Sequence, residues 1–153
     1  MQEFRHRREL ALLMLLRPAT PADIGQLHRV RLLVRENRLS DPARIGEGDY
    51  LEHLTTLGAG WLLEVETRVI GFAIGRVTDG NIWALFVDPV HEGRGYGSQL
   101  HDAMIAGLRV RGVSSFWLTT EPGTRAERFY LHKGWMPLPP HPVGEVRLSL
   151  RAS

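Results

Sequence analysis

The segment Ala84–Leu108, ALFVDPVHEGRGYGSQLHDAMIAGL, constrains this chain more than any other stretch. Ala84–Val87 is a short apolar run that reads as a buried strand, and Asp88-Pro89 is a turn. Glycines then fall at alternate positions, Gly93, Gly95 and Gly97, before Leu100, Ala103, Met104 and Leu108 set a helical spacing. The chain therefore runs strand, glycine turn, helix. Glycine admits backbone conformations that a Cβ forbids, and the first N–H groups of a helix have no partner within it. With the positive end of the helix dipole behind them, such donors suit a phosphate or pyrophosphate.

Spacing separates the loops that share this logic. A dinucleotide fingerprint G-x-G-x-x-G read from Gly93 needs glycine where Ser98 stands, and a nucleotide P-loop needs G-K-S or G-K-T, whereas the one lysine of the chain is Lys133. The stretch resembles instead the acyl-CoA loop of the GNAT superfamily of N-acetyltransferases: Gln or Arg, two residues, Gly, one residue, Gly or Ala. Gly95 and Gly97 match, and Glu92 departs at the first position, which touches only the side-chain part of the motif. A second segment, Ala126–Trp135, AERFYLHKGW, resembles the superfamily's other signature: Ala, two residues, Phe-Tyr, three residues, Gly, then Phe or Trp. Read by spacing alone, Ala126, Phe129, Tyr130 and Lys133 fall within two helical turns, and Gly134 stands where a helix C′ residue takes the left-handed conformation.

At 153 residues and 17.3 kDa the chain has room for one self-sufficient core. A formal charge of +2, with no basic run interleaved with aromatics, points away from a nucleic-acid partner. The absence of cysteine excludes disulfides, thiolate metal sites and a cysteine nucleophile, and it fits a cytoplasmic setting. No run approaches the ~18 apolar residues of a membrane span, and Met1–Leu13 lacks the pattern of a secretory signal. Met14 begins MLLRPATPAD, which resembles the opening of superfamily members. Residues 1–13 are accordingly expected to be a dispensable extension, and 14–153 the single catalytic domain.

In chain order, Leu15–Ala19 reads as the first strand. Thr20-Pro21-Ala22-Asp23 starts a helix, with Thr20 as N-cap, Pro21 at the first position and Asp23 completing a capping box. Ile24, Leu27, Val30 and Val34 form its apolar stripe, Leu39–Glu47 is a loop, and Tyr50, Leu51 and Leu54 mark a shorter helix. Trp61–Glu66 and Val69–Val77 read as a hairpin around Thr67-Arg68; Asp79-Gly80 reads as a two-residue hairpin turn leading into Asn81–Val87. Val113–Thr120 is the next strand. Trp135–Leu138 and Glu145–Leu150 flank a stiff, extended connection marked by Pro137, Pro139, Pro140 and Pro142.

Amine acylation by a thioester demands loss of the amine proton, an oxyanion donor and a proton for the thiolate. An alkyl amine of pKa ~10 is nearly all protonated at neutral pH, whereas a thiolate of pKa ~8.5 leaves readily, so proton removal is the larger demand. The resemblance implies an α/β fold of the GNAT type, a mixed, mostly antiparallel central sheet flanked by helices on both faces. It also implies a central strand that splays from its neighbour to admit the pantetheine arm. It places Leu85, Phe86 and Val87 on that strand, with the Leu85 N–H facing the thioester oxygen and Val87 pairing with the arm. Glu92, Gly93, Arg94, Gly95, Tyr96, Gly97 and Ser98 would form the diphosphate loop, and Tyr130 would be the general acid.

The base stays open among Glu64, Asp79 and a water chain, because Asn81 occupies the position of the family's glutamate and cannot titrate. His91 is expected to cap the loop or face solvent, the pair His101 and Asp102 to lie on a wetted face, and no metal site is expected. The implied function is transfer of acetyl from acetyl-CoA to the amine of a small molecule in a ternary complex. A peptide or protein amine and a non-catalytic acyl-CoA-binding module are the alternatives, and a homodimer is a family-based expectation.

Overall fold

The computed structural model describes residues 14–34, 45–139 and 144–151. The expected N-terminal extension, much of the loop after the first helix, and Pro140 and Pro142 lie outside the described residues. Strand β1 (Met14–Pro18) ends at its proline, and Thr20 begins a 3-10 turn, Pro21–Asp23, as its capping residues predict. The Asp23 carboxylate accepts the Thr20 N–H at 2.8 Å and also pairs with Arg17, whose hydrogen bonds hold it below the usual carboxylate range. Helix α1 (Ile24–Leu33) continues the turn and buries Ile24, Leu27 and Val30. Helix α2 (Glu47–Thr55) opens with Asp49 accepting the Gly46 N–H at 2.8 Å and buries Tyr50 completely.

Strands β2 (Gly58–Val65) and β3 (Arg68–Arg76) form the expected hairpin, but its turn is Glu66-Thr67, one residue earlier than predicted. Both residues have positive φ, 52° and 67°, the backbone of a two-residue primed turn built here without glycine. Strand β4 (Ile82–Val87) pairs antiparallel with β3. The link between them is not a two-residue turn: Arg76 N–H reaches Asn81 O at 2.8 Å, and only Gly80 of the Asp79-Gly80 pair has positive φ.

Helix α3 (Tyr96–Val110), β5 (Ser115–Thr120) and helix α4 (Arg125–His132) follow. β6 (Met136–Pro137) and β7 (Val146–Arg151) complete the order. The strand after α3 thus begins two positions later than predicted, and only two residues of Trp135–Leu138 are strand.

The strands form two antiparallel groups, β1-β2-β3-β4 and β5-β7-β6, joined by one parallel bridge from Asn81 to Trp117. One core, with Leu100, Met104 and Leu108 of α3, packs on one face; the other, with Leu27, Val30 and Tyr50 of α1 and α2, packs on the opposite face. A β-bulge in β4 sets which side chains go where. Ile74 pairs with Ala84 and Gly75 with Ile82, leaving Trp83 as the extra residue. Trp83 therefore joins Ala84 and Phe86 on the α1/α2 face, while Ile82, Leu85 and Val87 meet the α3 core.

Candidate active site

β4 and β5 are held together at one end and part at the other. Trp117 N–H donates to Gly80 O at 3.1 Å and the Asn81 side-chain amide donates to Trp117 O at 3.4 Å. Among the described residues, β4 pairs from Ile82 onward with β3 alone. Asp88 N–H donates to Ile70 O at 2.7 Å, so the alternation of an antiparallel ladder turns the backbone groups of Leu85 and Val87 away from β3, into the gap. The gap is part of a cleft of about 1020 Å³ that runs between β4 and Leu118–Thr120 of β5 to the start of α3 and the inner side of α4.

At the end of β4 the Asp88 carboxylate accepts the Val90 N–H at 3.0 Å, which starts the 3-10 turn Pro89–His91. Gly93 and Gly95 have φ of 78° and 83°, and a Cβ added to either would meet no protein atom within 4 Å. Gly95 is the N-cap of α3, and the first N–H to find the helix is that of Gln99, bonded to Gly95 O at 3.1 Å. The N–H groups of Tyr96, Gly97 and Ser98 are thus free donors at the positive end of a 15-residue helix. Glu92 accepts from Arg125 Nη1 at 2.9 Å, tying the loop to α4.

α4 carries Tyr130 into the same cleft. Thr124 caps its start by accepting the Glu127 N–H at 3.2 Å; Gly134, at φ 96°, ends it as predicted, and Trp135 N–H returns to Tyr130 O at 3.0 Å. The Tyr130 ring packs edge-on against Phe129 and Trp135, at 5.2 and 5.3 Å between centroids. Burial pushes its phenol well above the ordinary tyrosine range, so it stays protonated and keeps an O–H proton to donate.

Asp102 is exposed, as expected of a wetted face, but His101 beside it is not. His101 is 4% exposed, and its Nε2 accepts the Trp135 indole N–H at 3.0 Å. Since indole only donates, Nδ1 carries the imidazole proton and donates it to Asp102 Oδ1 at 2.9 Å. Lys133 Nζ reaches the same oxygen at 2.8 Å and donates to Ser98 Oγ at 2.8 Å, so the helix start, His101 and α4 are bound into one network. The signal for it was present: His101 lies three, four and seven residues before Met104, Ile105 and Leu108, on the apolar stripe.

The cleft gathers most of the residues singled out from sequence: Leu85, Phe86, Val87, Glu92, Gly93, Gly95, Tyr96, Gly97, Ser98 and Tyr130. Arg94 is exposed and is not among its lining residues. Glu64 is not brought there either. It belongs to the β1–β2 edge, where its carboxylate accepts from Arg17 Nε at 3.0 Å. Asp79 accepts the Asn81 N–H at 3.0 Å within its turn and does not line the cleft. His91, half-buried beside Tyr96 and 3.9 Å from the Asp88 carboxylate, does line it. Sequence reasoning missed Arg31 and Trp83, which line the cleft from the α1 face. Arg31 interrupts an otherwise apolar stripe next to Val30, which is the signal that could have found it.

Residues 25–135 match the Acetyltransferase (GNAT) family. A mycothiol acetyltransferase of Beutenbergia cavernae is 41% identical over 63 residues, 40% of this chain and 21% of that protein. A [ribosomal protein bS18]-alanine N-acetyltransferase of Haemophilus ducreyi is 29% identical over 86 residues, 48% of this chain and 59% of that protein. The match thus spans less than two thirds of either relative. The crystal structure of the PaiA N-acetyltransferase of Thermoplasma acidophilum in complex with coenzyme A shares the fold, with a TM-score of 0.80 at 11% identity over 91% of this chain and 99% of that one.

Proposed function

The chain belongs to the GNAT acetyltransferase family, and from that premise we propose that it moves the acetyl group of acetyl-CoA to the amine of a small molecule within a ternary complex. The observation that carries this reading is the junction of two features: an unpaired strand edge, Leu85 to Val87, and a helix start with three free N–H groups. The residues present fit the cofactor. The N–H groups of Tyr96, Gly97 and Ser98 suit its diphosphate, and the open space where a Cβ of Gly93 or Gly95 would stand leaves room for phosphate oxygens. The outward backbone groups of Val87 suit an amide-bearing arm.

In this reading the acceptor nitrogen attacks the thioester carbonyl carbon, a C–N bond forms and the C–S bond breaks. The Leu85 N–H meets the charge that develops on the carbonyl oxygen; a fixed donor of this kind lowers a barrier by ~3 kcal/mol because it needs no reorientation during the step. Tyr130, kept protonated by burial, gives its proton to the departing thiolate. The described residues lining the cleft on the α1 face include no carboxylate, so the amine proton leaves through water. A peptide amine is the second reading, favoured by the likeness to an enzyme named for ribosomal-protein alanine.

Calorimetric titration with acetyl-CoA and with CoA, followed by thiol release against amines and a peptide with N-terminal alanine, tests this. Micromolar binding with amine-dependent release is expected. Absence of acetyl-CoA binding would refute the reading, and binding without release from any acceptor would return the chain to a binding module.

A further inference from the structure

Arg31 lines the cleft from the side opposite the glycine loop, and the roles proposed above leave it unused. It is 9% exposed. Its guanidinium carbon lies 5.0 Å from the centroid of Trp83 and 4.9 Å from that of Phe86, while Nε and Nη1 are buried with no hydrogen-bond partner. Its polar neighbour is the Tyr50 hydroxyl, itself joined to His28 Nδ1 at 2.9 Å; among the described residues no carboxylate pairs with it. Desolvation lowers its pKa, yet a guanidinium stays charged at any working pH. A buried charge without a counter-ion is unfavourable, and two aromatic faces offset only part of the cost. Negative charge supplied by a ligand would complete the site.

The fold indicates which ligand. The glycine loop, Tyr96 and Tyr130 belong to the α3/α4 side of the sheet, whereas Arg31, Val34 and Trp83 belong to the α1/α2 side. Because the bulge in β4 turns Trp83 to the same face as Phe86, the two rings bracket the guanidinium. A cofactor whose diphosphate sits at the start of α3 leaves this wall to the acceptor. Arg31 is the one cation that the described residues of the α1/α2 face contribute to the cleft, which suits a single negative charge better than a phosphate dianion. The planar guanidinium suits a planar carboxylate. Resting on the acyl transfer proposed above, we infer that Arg31 anchors a carboxylate of the acceptor, so that the acceptor is a small, amino-acid-like amine whose nitrogen is directed at the β4 edge.

The test compares acceptors matched except that one carries a carboxylate and the other its carboxamide, with amine-to-carboxyl spacings from that of an α-amino acid upward. kcat/KM is measured at saturating acetyl-CoA for the wild-type chain, Arg31→Met and Arg31→Lys. In the wild type the better-fitting carboxylate should exceed its carboxamide by about a hundredfold, as expected for a desolvated charge pair. Arg31→Met should lose that preference through KM, and Arg31→Lys should keep part of it. A second readout needs no turnover: the same carboxylate, added without acetyl-CoA, should perturb tryptophan fluorescence in the wild type but not in Trp83→Phe or Arg31→Met.

A guanidinium without an ion-pair partner among the described residues also predicts that Arg31→Met melts no lower than the wild type, whereas a structural arginine predicts clear destabilisation. Equal use of carboxylates and carboxamides by a wild type that acetylates amines would overturn the inference, as would a peptide amine lacking a carboxylate that outpaced every small carboxylate. A wild type that binds no acetyl-CoA would instead sink the acyl-transfer reading, and the fluorescence arm would still decide whether Arg31 holds a carboxylate.

Discussion

Gly80→Ala probes the point at which β4 and β5 are pinned, and hence the shape of the cleft beyond it. Gly80 has φ of 77°, accepts the Trp117 N–H at 3.1 Å, and would place an added Cβ 2.1 Å from the Ser115 carbonyl oxygen. The obstructing atom is backbone, so no side-chain rotation relieves the clash; β5 must retreat by about 1 Å to reach van der Waals distance. An alanine in the left-handed region costs ~1–2 kcal/mol. Losing the Trp117 hydrogen bond adds ~0.5–1.5 kcal/mol. The expected loss is therefore ~2–4 kcal/mol, from the sum of those terms with some residual strain.

Gly112→Ala is the control. Gly112 has φ of 95°, but its added Cβ would meet nothing within 4 Å, so it should lose only ~1 kcal/mol from the backbone term. Urea unfolding followed by tryptophan fluorescence measures both, and calorimetry should show weaker acetyl-CoA binding in Gly80→Ala, where the gap has been reset. If the two alanine variants agreed within ~0.5 kcal/mol, the pinning argument would be refuted, since distant surface changes fall in that range.

Three further outcomes follow from the site. Tyr130→Phe keeps the ring contacts with Phe129 and Trp135, so kcat should fall ~10²-fold or more while acetyl-CoA affinity holds; equal loss of both would reassign Tyr130 to packing. Gly95→Val puts a β-branched residue at φ 83° with its side chain in the cleft, and acetyl-CoA binding measured by calorimetry should weaken by about a hundredfold as donors to the diphosphate are lost. Unchanged affinity would defeat the loop assignment.

The third outcome is a pH dependence. Burial lowers the pKa of His101 in the folded chain, so below pH ~6.5 the unfolded chain takes up a proton that the native chain does not, and stability falls as pH falls by at most ~1.4 kcal/mol per pH unit. His101→Leu strands the Trp135 N–H and should cost ~1–3 kcal/mol at neutral pH. That gap should narrow between pH 7.5 and 5.5 in urea titrations, and parallel curves would contradict the buried neutral imidazole.

Much of the site was legible because its parts are local. The glycines at 93 and 95 adopt the left-handed backbone that their residue type permits, Gly134 ends α4 as a C′ glycine, and Thr20 with Asp23 starts the first helical turn. Each depends on a few consecutive residues, where conformational preference and hydrogen-bond reach act over one turn. What failed was non-local. Asp79-Gly80 read as a hairpin turn, but Gly80 is glycine also because Ser115, far along the chain, leaves no room for a Cβ. Glu64 reads as a candidate base, but β1 brings Arg17 against its carboxylate. His101 read as solvated because an adjacent aspartate suggests water, whereas helix packing turned it onto Trp135.

By itself, then, the order of residues determined the strand, glycine turn and helix with its unpaired first N–H groups, the second helix that carries Tyr130, and the family to which they belong. Tertiary structure alone decided that β4 parts from β5 beyond Asn81, that a bulge aims Trp83 at Arg31, and that this arginine is buried with no carboxylate of the described residues paired to it. The division has a physical cause. A turn or cap is set by dihedral preferences and hydrogen bonds within a few residues, while a strand's register and the surroundings of a charge depend on which distant segments are packed against it.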